Sequence, residues 1–94
     1  MLKHVIMWKF RAGEEQAMRQ FLDQLKALKG QIPQIVDLEV GVDCGGDGHF
    51  DAVLISTFRS KADLELYQKD PRHVAVSSLC KAIRTDRVAV DFEF

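Results

Sequence analysis

The chain has 94 residues, 47% of them hydrophobic, and its acids and bases are interspersed to a formal net charge of -1. One domain of this size, spanning residues 1–94, buries only ~60–68% of the surface its unfolded chain exposes, so the core is thin and a partner chain adds to it. The charge balance excludes the basic field that a nucleic-acid partner needs.

The first apolar run, Leu2 to Phe10, is broken by Lys3, His4 and Lys9 and is too short for a leader or a membrane span. A cytoplasmic protein with no membrane partner is expected. Within the run His4, Ile6, Trp8 and Phe10 alternate with Val5, Met7 and Lys9, the pattern of a strand apolar on both faces and central in a sheet. Gly13 turns the chain, and from Glu14 the spacing becomes helical, with Met18, Phe21, Leu22, Leu25 and Leu28 on one stripe. Gly30 is expected to end that helix as the residue just past its last turn. After Pro33, Val36, Leu38, Val40 and Val42 alternate with Asp37, Glu39, Gly41 and Asp43 as a half-buried strand.

Cys44-Gly-Gly-Asp-Gly-His49 has the composition of a phosphate cradle, but it runs from strand to strand and reads as a hairpin connection. Phe50 to Phe58 repeats the two-faced alternation, with Ala52, Leu54 and Ser56 opposite Val53 and Ile55. Ser60-Lys-Ala-Asp63 is a capping-box variant that opens a short helix carrying Leu64, Leu66 and Tyr67. Asp70 and Pro71 end it and start another at once, Asp70 as N-cap and Pro71 in the first helical position. The restarted helix places Val76, Leu79, Cys80 and Ile83 on one stripe, and Arg87 to Phe94 closes the chain as a strand. Cys44 and Cys80 lack metal-ligand spacing and read as free thiols.

The order β-α-β-β-α-β is the ferredoxin-like α+β arrangement, with the second helix in two pieces. Right-handed crossovers give a four-stranded antiparallel sheet with the fourth strand beside the first, the first beside the third and the third beside the second. Helices then cover one face only. The other face is expected to present Val5, Met7, Val53 and Ile55 at its centre, with Asp37, Glu39, Asp91 and Glu93 on the outer strands. An apolar centre with a charged rim is how a protein interface is built, so a homodimer through this face is expected.

His73 falls in the first turn of the restarted helix, where the positive end of the helix dipole disfavours the imidazolium and leaves a neutral ring able to accept a proton. Tyr67 lies six positions upstream, and the break at Asp70-Pro71 lets the two approach, which a continuous helix prevents. They are expected to form a hydrogen-bonded pair at the mouth of an apolar cavity between sheet and helices, lined by His4, Ile6, Trp8, Phe21, Leu54 and Val76. No ligand set has metal spacing, and no cofactor is expected.

Lys3-His4-Val5-Ile6, Thr57-Phe58-Arg59-Ser60 and Tyr67 to Pro71-Arg72-His73-Val74 together resemble the stress-responsive dimeric α/β-barrel domain family over nearly the whole chain. The resemblance implies a ferredoxin-like subunit that dimerises sheet to sheet into a barrel. Most members of that family have no established activity. In a plant branch of polyketide cyclases, the residue matching His73 is the base, that matching Tyr67 is its partner and that matching His4 lines the pocket. That branch carries a second pocket histidine in the third strand, where this sequence has Ala52. Three readings follow: a dimeric stress-response-type protein that binds an apolar small molecule, a cofactor-independent enzyme using His73, Tyr67 and His4 on a carbonyl substrate, and a dimeric-barrel monooxygenase built on Trp8 and His4.

Overall fold

The alternation that opens the chain forms strand β1 (Leu2–Phe10), and Leu2, His4, Ile6, Trp8 and Phe10 are all buried on one face. In the computed structural model, which describes residues 1–94, β1 leads to helix α1 (Glu15–Ala27), strands β2 (Asp37–Val42) and β3 (Ala52–Phe58), helices α2 (Lys61–Lys69) and α3 (Pro71–Ile83), and strand β4 (Arg84–Glu93). The strands form one antiparallel sheet in the order β2-β3-β1-β4. This is the ferredoxin-like α+β fold, with the strand neighbours that the crossover rule requires. Met18, Phe21, Leu22 and Leu25 of α1 pack on the buried side of β1, where Trp8 meets the edge of Phe21 at 5.1 Å between ring centroids.

Two local expectations change. Gly30 is not a left-handed residue after a helix end: α1 tightens into a 3-10 turn, Leu28–Gly30, and Gln31 caps it with a right-handed backbone. The inner stripe of α3 runs through His73, Val76, Ser77, Cys80 and Ile83, and Leu79 lies off it, exposed. Each of these residues has another of the stripe three or four positions away, which is helical spacing, so the polar residues His73 and Ser77 take places a purely apolar reading leaves out.

At the α2–α3 break, Asp70 ends one helix and caps the next in extended conformation, its carboxylate accepting from Arg72 N at 2.9 Å. Pro71 sits at the start of α3, where its missing N–H costs nothing. Arg72 donates to the Gln31 carbonyl at 2.6 Å and so ties the break to the connection that follows α1.

The uncovered face of the sheet is wider and more apolar than expected. Register pairs Val5 with Ile55 on one side and Val90 on the other, and Met7 with Val53 and Val88. Phe92 pairs with Lys3 on the same face. Asp91 and Glu93 pair with His4 and Leu2 and therefore lie on the helix side, not on the open face. Because side chains alternate, placing Val88, Val90 and Phe92 outward turns Asp91 inward. Of the four acidic residues expected on the rim, Asp37 and Glu39 of the β2 edge remain there. No helix of the chain is long and apolar enough to cross a membrane.

Candidate functional site

A cavity of about 50 Å³ lies between the sheet and the helices α1, α2 and α3. Its apolar wall is Ile6, Trp8 and Leu54 from the sheet with Phe21 and Leu25 from α1. Its polar wall is His4 of β1, Tyr67 and Gln68 of α2, His73 and Ser77 of α3, and Arg84 and Arg87 of β4. The structure thus brings His4, Tyr67, His73, Ile6, Trp8, Phe21 and Leu54 to one place. Val76 is buried in the core but does not line the cavity, and neither does Ala52. His49 lies in the β2–β3 loop, away from the cavity and 3.4 Å from Asp43. A larger groove of about 490 Å³ between the β1–α1 turn and that loop is open surface lined by Arg11, Glu14, Glu15, Asp43 and Asp51. It holds no histidine or tyrosine, and the enclosed cavity is the candidate site.

The helix break builds the histidine end. In an unbroken helix the Gln68 carbonyl would accept from the residue four positions on, but the Arg72 N–H is taken by Asp70. His73 supplies the missing donor, its Nδ1–H to the Gln68 oxygen at 3.1 Å. That bond selects the tautomer with the proton on Nδ1 and leaves Nε2 as a free acceptor. Burial, before any other influence, holds the His73 pKa below the usual histidine value. The Gln68 bond and the Asp70 carboxylate raise it, whereas His4 and Arg87 lower it further. The direction is the one expected from the sequence; its leading cause is desolvation.

Tyr67 and His73 do not form the expected hydrogen-bonded pair. Their rings are in tilted contact, 4.4 Å between centroids, and Phe58 lies on the tyrosine at 5.0 Å. The Tyr67 ring is fully buried, and its hydroxyl has no hydrogen-bond partner in the chain. Burial pushes the phenol far above its usual pKa, so the hydroxyl keeps its proton and can only donate or accept a hydrogen bond. A buried hydroxyl left unpartnered costs about 1–3 kcal/mol.

His4 is 3% exposed, and its Nδ1 meets the Asp91 carboxylate at 2.5 Å. A carboxylate on Nδ1 orients an imidazole and leaves Nε2 free. Sequence reading placed Asp91 on the opposite face and so missed this partner. It also left out Arg84 and Arg87; the pairing of Arg87 with Trp8 and of Arg84 with Phe10 sets both on the helix side. The signal that was available is the period of two in β4, once its apolar residues are assigned outward. Cys80, also at the cavity, is buried and its thiol is pushed up by that burial, so it is a poor nucleophile.

The fold recurs widely among solved proteins. A dimeric protein of unknown function with a ferredoxin-like fold from Bacteroides fragilis superposes with TM-score 0.85 at 26% identity, covering 99% of this chain and 95% of that one. A dimeric ferredoxin-like protein of unknown function from Thermobifida fusca gives TM-score 0.88 at 23% identity over 99% of this chain and 90% of its own. The hydroxynitrile lyase of Passiflora edulis gives TM-score 0.85 at 16% identity, covering 97% and 90%. No curated protein matches the sequence. The family model described as the stress responsive A/B barrel domain matches residues 2–94, and this chain belongs to that family.

Proposed function

We propose that this protein is a homodimer that binds a small carbonyl compound between sheet and helices and moves a proton on it without a cofactor. The observation that carries this reading is the pairing, in one cavity, of a half-buried His73 whose tautomer leaves Nε2 free with a buried Tyr67 hydroxyl that has no partner. In the step, Nε2 of His73 takes a proton from the carbon beside the carbonyl. The C–H electron pair becomes the C=C bond of an enolate, and the charge that develops on oxygen accepts a hydrogen bond from Tyr67. His4, held by Asp91, orients the substrate from β1. Returning the proton to the same or another carbon completes the cycle.

The fold alone supports no particular chemistry, since one scaffold hosts many. The monooxygenase alternative finds less support at this site: Trp8 is packed edge-on against Phe21, and His4 is engaged by Asp91. Exchange of the α-protons of butan-2-one in heavy water, followed by proton NMR, tests the proposal. Wild-type protein is expected to accelerate exchange, and His73→Ala to lose 10²–10⁴-fold of that acceleration, the usual contribution of a general base, with an unchanged melting temperature. If wild-type protein binds the ketone but exchanges nothing, the protein is a binding module and the catalytic role falls.

A further inference from the structure

Two arginines at the cavity have no use in the proton step. Arg84 opens β4 and Arg87 follows on the same side of the strand, and both reach the cavity wall. Neither is ion-paired within the chain, although Arg19 and Arg72 both are. Both guanidinium groups act on the buried Cys80 thiol, and Arg87 acts on His73, so their charge is felt inside the cavity and not only at the surface. The residues of β4 beyond Arg84 are all exposed in the protomer, so this strand borders solvent where it meets the cavity and is the side from which a ligand can enter.

The cavity also limits size. One water needs about 10–15 Å³ on the same measure, so about 50 Å³ holds about four water-sized heavy atoms. A long chain does not fit; the three-heavy-atom acetyl end of a short oxo acid does, with its carboxylate left at the exposed β4 side of the cavity where Arg84 and Arg87 stand.

We propose that Arg84 and Arg87 are the anion-recognition end of this site, and that its ligand is a short carboxylic acid carrying a carbonyl, with the carboxylate on the guanidinium groups and the carbonyl oxygen at Tyr67. The chemistry is matched at both ends. A guanidinium offers two parallel donors to a carboxylate, and the Tyr67 hydroxyl offers one donor where a carbonyl oxygen would sit. With the carboxylate held at β4, the carbon beside the carbonyl lies on the His73 side. The inference rests on the reading of the cavity as a carbonyl-binding site, and it adds the charge and the size of what binds.

Trp8 is the single tryptophan of the chain and lines the cavity, so its fluorescence reports occupancy directly. Pyruvate and its uncharged methyl ester are titrated at constant ionic strength against wild type, Arg87→Gln and the double variant Arg84→Gln/Arg87→Gln. Pyruvate is expected to give a saturable change in wild type, at least about tenfold weaker in Arg87→Gln and absent in the double variant, as loss of a charge-assisted contact requires. Methyl pyruvate is expected to bind weakly and equally to all three. Equal affinity for acid and ester, or an unchanged pyruvate response in the double variant, overturns the inference. So does inorganic phosphate if it competes more tightly than pyruvate, which would make this a phosphate site. Melting temperatures of the variants are read alongside, and both arginines border solvent, so they are expected to match wild type. If methyl pyruvate binds and His73→Ala removes that binding while pyruvate does nothing, the carbonyl site stands and only the anion assignment fails.

Discussion

At the scale of single residues, Tyr67 and His73 trade stability for a site. The unpartnered phenol is a standing cost, so Tyr67→Phe is expected to leave the melting temperature unchanged or raise it, by up to about 1–3 kcal/mol of stability, while slowing α-proton exchange. A Tyr67→Phe protein that is less stable than wild type in thermal denaturation would mean that the hydroxyl has a structural partner. His73 behaves in the same sense. Its folded pKa lies below the value of about 6.5 it has in the unfolded chain, so between the two the unfolded state binds a proton that the folded state resists. Stability is therefore complete above about pH 6.5 and declines as the pH falls through the depressed folded value. Replacing His73 with Gln is expected to flatten that part of a plot of melting temperature against pH.

At the scale of elements, the α2–α3 break does more than end a helix. One carboxylate, Asp70, caps α3 and clamps Arg72, and the Arg72 side chain reaches Gln31. The side-chain bond from Arg72, first, and its backbone N–H hold the Asp70 carboxyl down to about 2. A depressed acid stabilises the fold above its unfolded pKa, about 3.9, and that contribution is lost as pH falls from there towards 2. Asp70→Ala is expected to lower the melting temperature at neutral pH and to lose the acid-dependent part of wild-type unfolding in this window. Because Arg72 N–H would then be free to return to the Gln68 carbonyl, the same variant loses both influences that raise the His73 pKa, the Gln68 bond and the Asp70 charge, and the His73 midpoint in an NMR titration is expected to fall further; a His73 titration identical to wild type would show that the break does not set its tautomer.

At the scale of the whole molecule, the open sheet face is the largest unsatisfied feature. Val90 is 57% exposed and Phe92 44% in the protomer, and they continue the strip of Val5, Met7, Val53 and Ile55 across three strands. At roughly 25 cal/mol per Å² of apolar surface removed from water, a standard-size interface on this strip is expected to hold a dimer at micromolar concentration or below. Val53→Asp buries an unpaired charge at the centre of that strip and is expected to yield monomer or aggregate by light scattering. Val90→Asp should do the same, because β4 contributes to the same face. If both variants elute as wild-type dimers, the proposed interface is elsewhere on the molecule.

Much of this was written in local spacing. Period-two runs, the Ser60 cap and the Asp70-Pro71 break each depend on neighbours within a few residues, and they specify the element order, the strand neighbours and the placing of His4, Tyr67 and His73 on the helix side. What spacing could not decide was the direction in which β4 faces. Val88, Val90 and Phe92 alternate with Ala89, Asp91 and Glu93, and the usual expectation turns apolar residues towards the helices. Only the tertiary structure shows that β4 is exposed beyond Arg84, with its apolar side on the open face and its polar side towards the cavity. That one reversal supplies Asp91 to His4 and brings Arg84 and Arg87 to the site. Burial of His73 and isolation of the Tyr67 hydroxyl were likewise beyond the sequence, because desolvation is set by what packs from distant elements and not by the residue's own helix.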